Sequence, residues 1–240
     1  MKPRLDRLLV ERGLAASREK AQALIMAGEV LVDGRKAEKP GQPVAIECRL
    51  EVLARPPFVS RGGLKLDAAL DHFDIVVTGR VCLDIGASTG GFTDCLLQHG
   101  AARVHAVDVG SGQLDWKIRN DPRVVVHEKL NARYLRGEDI GEPVGLVVYD
   151  VSFISVTLIL PAAIPLLQPG GEMVILVKPQ FEVGKGQVGR GGIVREPELQ
   201  EAACRRVNEA ARQLGFETSI MESPILGAEG NREFLLYAHH

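Results

Sequence analysis

At 240 residues, 45% hydrophobic and 25% charged, the chain has the makeup of a globular protein able to bury a core without disulfide staples. Its 29 Lys and Arg against 31 Asp and Glu leave a net charge of −2, which by itself points to no polyanionic partner. Cys48, Cys82, Cys95 and Cys204 form no C-x-x-C pair and are read as having no histidine at ligand spacing. No metal is therefore expected, and buried reduced thiols suit a cytoplasmic protein.

No apolar run follows the basic start Met1-Lys2-Pro3-Arg4, so no signal peptide is read. The longest apolar stretch, 151–167, is interrupted by Pro161 and Pro165 and falls short of the ~20 residues a membrane span needs. It is read as a buried strand end and helix, and no membrane role or obligate protein partner is expected.

Charge is unevenly spread. Residues 1–58 hold 11 Lys and Arg against 8 Asp and Glu, leaving 18 against 23 for the rest. A basic head on an acidic body suggests that the head meets a polyanion. Leu5, Leu8, Leu9 and, beyond a break at Gly13, Leu14 make one apolar stripe. Ser17 is placed to cap a second helix through Met26, with Ala21, Leu24 and Ile25 inward and Gly28 as its closing glycine. A strand over 30–32 runs into the Asp33-Gly34 turn, and strands over 44–46 and 50–53 close the unit.

Arg4-Leu5-Asp6, Gly13-Leu14, Ser17-Arg18, Ala21, Leu24-Ile25, Gly28, Val30 and Val32-Asp33-Gly34 resemble the S4 RNA-binding domain over about 45 residues. The resemblance implies paired helices and a hairpin lying on structured RNA. Arg4, Arg7, Arg18 and Lys20 are then the cations for phosphates, with Arg35 and Lys36 flanking the hairpin turn. For Arg7 and Arg12, set among acids, a plain solvated face is an equal alternative.

Arg55-Pro56-Pro57 marks a stiff linker. The boundaries read from it are 1–55 for the first domain, 56–59 for the linker and 60–240 for the second domain. Strands over 81–85, 104–108, 124–127, 144–150, 173–178, 216–221 and 234–238 then alternate with helices, including 91–98 and a long one from Pro197 to Leu214. Alternation predicts an α/β domain with a mostly parallel seven-stranded sheet covered on both faces. The last two strands have no helix between them, which predicts an antiparallel strand inserted near one edge.

Asp84-Ile85-Gly86-Ala87-Ser88-Thr89-Gly90-Gly91-Phe92 follows a strand and opens a helix, where a glycine turn lets backbone approach a ligand. The acid at Asp84 would repel a pyrophosphate, and the G-x-G-x-x-G register of dinucleotide sites is missing. Both favour S-adenosylmethionine, with Asp108 at the next strand end for ribose hydroxyls. The cofactor set read here is Asp84, Gly86, Ser88, Gly90, Gly91, Phe92, Asp108, Asn131 and Asp150.

Lys65 stands on the helix ahead of the sheet, Asp150 ends the fourth strand, Lys178 ends the fifth, and Glu233 enters the last. With these in place, nearly the whole chain resembles the TlyA family, an S4 domain joined to an FtsJ-like ribose methyltransferase. The resemblance implies a Rossmann-like S-adenosylmethionine-dependent methyltransferase acting on ribosomal RNA or ribosomal subunits. It also implies a Lys-Asp-Lys-Glu catalytic tetrad at Lys65, Asp150, Lys178 and Glu233, and cytidine 2′-hydroxyls as targets. Lys178 is expected as base and Lys65 as oxyanion stabiliser. The glycine-rich stretch 184–195, basic through Lys185 and Arg190, is expected to be a mobile lid that grips RNA. Three rival readings are a non-catalytic RNA-binding or ribosome-assembly protein, a dehydrogenase, and a cytolysin, since members of the family have carried the name hemolysin.

Overall fold

The computed structural model describes residues 2–53, 56–227 and 229–240, with Lys185 described by its backbone only. The chain divides into two compact units, Met1–Pro56 and Pro57–His240.

In the first unit, α1 (Leu5–Glu11) and α2 (Arg18–Met26) pack beside a three-stranded antiparallel sheet, ordered β2-β1-β3, of β1 (Val30–Val32), β2 (Arg35–Lys36) and β3 (Leu50–Val52). Ser17 caps α2 by accepting from the Lys20 backbone N–H at 3.3 Å. Gly28 follows in the left-handed conformation, φ 70°, that stops the helix. Leu5, Leu8, Leu9, Ala21, Ile25 and Val30 form the core.

Two expectations fail here. Leu14 lies outside the stripe and is exposed. Residues 44–46 form no strand; Pro43 makes only an isolated bridge to Arg4, since both edges of β1 are already taken by β2 and β3. Arg12 holds this loop instead, donating to the Cys48 carbonyl at 2.7 Å and to that of Ile46.

The second unit opens with α3 (Gly62–His72), β4 (Val81–Ile85), α4 (Gly91–Gln98), β5 (Arg103–Asp108), α5 (Trp116–Arg119) and β6 (Val124–Glu128). It continues with α6 (Gly137–Ile140), β7 (Val144–Tyr149), α7 (Leu160–Ala163), β8 (Leu167–Val177) and α8 (Pro179–Glu182). It closes with α9 (Pro197–Gln213), β9 (Glu217–Glu222) and β10 (Phe234–His239). The sheet order is β6-β5-β4-β7-β8-β10-β9, all parallel except β10, which runs antiparallel to both neighbours.

Side-chain alternation along the strands sorts the core onto two faces. Cys82 packs with Leu66, Phe92 and Leu96, while Leu83 and Ile85 pack with Leu160, Val207 and Ala211 on the other side. Strand order reverses between β4 and β7, so the crevice for a ligand falls at their carboxyl ends.

The stretch 151–167 is not one helix. Pro161 and Pro165, each lacking a donor, break it into the 3₁₀ turns Val156–Leu158 and Ile164–Leu166 around the single turn of α7. β8 starts at Leu167, earlier than expected, and absorbs Pro169-Gly170 through a register shift against β7 between Val144 and Leu146.

Candidate active site

Four charged side chains converge at the carboxyl edge of the sheet, all lining one cavity of about 610 Å³. Lys65, on the first turns of α3, donates through Nζ to Glu233 Oε2, and both residues are buried. Lys178, one residue past β8, places Nζ 2.6 Å from Asp150 Oδ1 and donates to Ser152 Oγ at 2.9 Å. This second pair is the more open, with side chains 11% and 24% exposed.

Local sequence explains the convergence. Gly86 has φ 89°, and a Cβ there would stand 2.6 Å from the Asp150 carbonyl oxygen, so only glycine lets the β4 loop close onto the β7 loop. Asp94 Oδ2 accepts from the Val59 backbone N–H at 2.9 Å and Gln98 donates to the Pro57 carbonyl at 2.8 Å, pinning the lead into α3 against α4. Lys65 is thereby fixed from behind.

A second cavity of about 450 Å³ adjoins the first and shares Gly86, Ser88, Asp150, Ser152 and Phe153 with it. Val107, Leu130, Ile154 and Ile159 give it apolar walls, and Asp108 and Asn131 its polar rim. Asp108 also organises the loop, accepting from the backbone N–H of Ser88 at 2.8 Å and of Gly110 at 2.7 Å.

Of the expected cofactor residues, Gly91 and Phe92 line the first cavity only, and Asp84 and Gly90 line neither. Gly90, φ 93°, backs onto Leu114 and Ile118. Asp84 is fully buried on the α4 side of β4, where Oδ2 accepts from the Thr93 hydroxyl at 2.6 Å and Oδ1 has no partner. Burial pushes its carboxyl up to about 7.

Sequence reasoning missed four residues that shape the site. Glu182 is buried and accepts from Ser155 Oγ at 2.6 Å and the Val156 N–H at 2.8 Å, tying α8 to the loop after β7. Phe153 is 91% exposed with φ 67°, and its ring centroid lies 5.3 Å from that of Phe181 at the cavity mouth. A bulky residue held left-handed is a strained one, a feature that clusters at working sites.

Asn231, the fourth, bonds the 184–195 stretch. Its Oδ1 accepts from the Val194 N–H and its Nδ2 donates to the Gly192 carbonyl, both at 2.9 Å. With Gly189 N–H bonded to the Ile193 carbonyl at 3.1 Å, the stretch is a built turn whose Val188 and Gly192 wall the cavity. Arg190 is exposed on it, and the Lys185 side chain lies outside the described residues.

In the first unit, Arg4 and Arg18 are not free cations. Both bond the buried Asp6, through Arg4 Nη2 at 2.9 Å and Arg18 Nε at 3.0 Å, with Gln22 Nε2 joining at 2.9 Å. Their side chains remain 45% and 46% exposed. Arg7, Lys20, Arg35 and Lys36 are exposed. The four cysteines are unpaired as disulfides, and the reading that no histidine lies at ligand spacing is wrong for Cys95, since His99 follows one helical turn later.

Residues 58–240 match the FtsJ-like methyltransferase family and residues 3–47 the S4 domain. The chain is similar to the 16S/23S rRNA (cytidine-2′-O)-methyltransferase TlyA of Mycobacterium tuberculosis, 51% identical over 98% of this chain and 88% of that one. Hemolysin A of Brachyspira hyodysenteriae is 44% identical over 98% of each. A solved structure named for a hemolysin of Streptococcus thermophilus superposes with a TM-score of 0.76 at 44% identity, covering 99% of this chain and 88% of that one. The chain belongs to the FtsJ-like methyltransferase family, as a TlyA-type member whose methyltransferase domain is preceded by an S4 domain.

Proposed function

We propose that the protein transfers a methyl group from S-adenosylmethionine to the ribose 2′-hydroxyl of a cytidine in ribosomal RNA. The observation that carries this reading is the meeting of two cavities over Asp150, one holding both lysine–carboxylate pairs and the other apolar with an acid at its rim.

The second cavity fits the cofactor. Val107, Leu130 and Ile159 suit an adenine ring, Asp108 keeps lone pairs for ribose hydroxyls, and Gly86 leaves backbone within reach. S-adenosylmethionine, when bound there, supplies a methyl group already activated on a sulfonium.

This chain's residues then do the rest. Lys178 takes the proton from the 2′-hydroxyl, and Asp150 and Ser152 hold the resulting ammonium. Lys65, anchored by Glu233, faces the developing oxyanion. Phe153 and Phe181 offer flat apolar faces for a base drawn out of its stack. Most of the acceleration comes from alignment, because the leaving group needs no further activation.

The S4 domain docks structured RNA, with Arg4, Arg7, Arg18, Lys20, Arg35 and Lys36 toward phosphates and Arg190 as a further cation for the RNA. The work is cytoplasmic, where ribosomal RNA is. No helix among the described residues is long and apolar enough to cross a membrane. The test is incubation of purified protein with labelled cofactor and ribosomal RNA, followed by mapping of 2′-O-methyl sites. Label on cytidine ribose that disappears with Lys178→Ala is the expected result; no transfer to any ribosomal RNA, naked or assembled, overturns the proposal.

A further inference from the structure

Away from the cavity, α3 and α4 bring together three side chains of the kind that hold a transition metal. Cys95 and His99 stand four residues apart on α4 and its cap, a spacing that puts both on one face. Asp67, two residues beyond Lys65 on α3, faces them across the helix pair, with Oδ1 2.7 Å from His99 Nε2.

One ligand atom from each residue lies within 4.8 Å of the other two. Any such triangle can hold an ion at most about 2.8 Å from all three atoms, so small side-chain shifts reach the ~2.0–2.3 Å bonds of zinc. Cys95 is fully buried.

Asp67 and His99 are partly exposed, which leaves an entry path from solvent to the buried sulfur. Water can complete the coordination from the solvent side.

We infer that Asp67, Cys95 and His99 form a binding site for zinc or another borderline-soft divalent ion, which fastens α3 to α4. Sulfur, imidazole and carboxylate together select that class over magnesium or calcium. The site goes beyond the proposed methyl transfer and takes no part in it. None of the three residues lines either cavity, but α3 carries Lys65, and α4 begins at Gly91 and Phe92 on the cavity wall. The ion would therefore stiffen the frame behind the active site.

Cobalt(II) titration of the full-length protein, stripped by chelation, tests this. One equivalent should produce a thiolate-to-cobalt charge-transfer band and the visible bands of a low-coordinate ion, with zinc displacing both. Cys95→Ser should abolish the charge-transfer band. His99→Gln, at a partly exposed position, should weaken binding by more than the roughly 10- to 100-fold that loss of an outer-shell partner costs, because a ligand itself is removed. Should Cys95→Ser fail to fold, His99→Gln and Asp67→Asn decide the matter by the same titration. No band at equimolar cobalt, a band that persists in folded Cys95→Ser, or unchanged affinity in both His99→Gln and Asp67→Asn overturns the inference.

Discussion

The S4 domain and the catalytic edge of the methyltransferase domain both bury a carboxylate among cations, in opposite proportions. Asp6 has two arginines, a glutamine and the Arg7 backbone N–H to itself, so the cluster carries surplus positive charge whose outer half faces solvent. At the catalytic edge each carboxylate has one lysine. Surplus positive charge suits a polyanion, and one-to-one pairing suits the proton transfer proposed above.

That comparison breaks if Lys178 acts only as a positive charge. Lys178→Ala should lower turnover by about 10²–10⁴-fold with cofactor affinity near normal, measured by single-turnover methylation and calorimetry. Lys178→Arg should not restore it, because a guanidinium cannot accept the proton. Glu233→Ala leaves Lys65 buried without its counter-charge and should cost about 3–5 kcal/mol in a denaturant melt, whereas Asp150→Asn, in the more open pair, should cost less. Asp108→Ala should weaken cofactor binding by roughly 10- to 100-fold, for a lost charged hydrogen bond of about 1.5–3 kcal/mol. The same change frees the backbone N–H groups of Ser88 and Gly110, so both amides should also exchange hydrogen faster.

The two regions should answer pH with opposite signs. Hydrogen bonds from Arg4, Gln22 and Arg18 hold the Asp6 carboxyl well below the usual carboxylate range. Its stabilisation is present above the unfolded value and lost as pH falls, so α1 should open first on acidification, by amide exchange. Asp84, raised to about 7 by burial, stabilises the fold below its unfolded value and loses that contribution as pH rises through about 7. Asp84→Asn should therefore melt at a temperature that gains on the wild type between about pH 5 and pH 8. The smallest effect belongs to the exposed cations. Arg7→Ala or Lys20→Ala should each make the salt dependence of RNA binding shallower by about one phosphate contact, with stability unchanged.

Much of the sheet was legible because burial on two faces leaves a strong mark on sequence. Apolar runs such as 81–85 and 144–149 end in acids or turns, and the lack of a helix between β9 and β10 betrayed the inserted antiparallel strand. Asp150 and Lys178 stood out for the same reason, as charges where apolar strands stop. Lys65 and Glu233 did not; only the family resemblance marked them, since nothing local distinguishes a lysine on a helix from a solvated one. Asn231, Glu182 and Phe153 stayed invisible because their roles are contacts across 26 to 39 positions, or a backbone angle. The pairing of Arg18 with Asp6 was missed likewise, and the strand expected over 44–46 failed for want of a free edge to join.

β10 lies between β8 and β9 yet follows both in the chain. While the polypeptide is being made, β9 has no neighbour to pair with and β8 shows a bare edge until β10 arrives. Glu233, at the entrance to β10, meets Lys65 only in that closing step. Ripening of the catalyst is thus tied to the final insertion of the sheet. A nascent chain still short of residue 233 carries every other residue that lines the cavity, yet its first lysine stands without a counter-charge until β10 is in place.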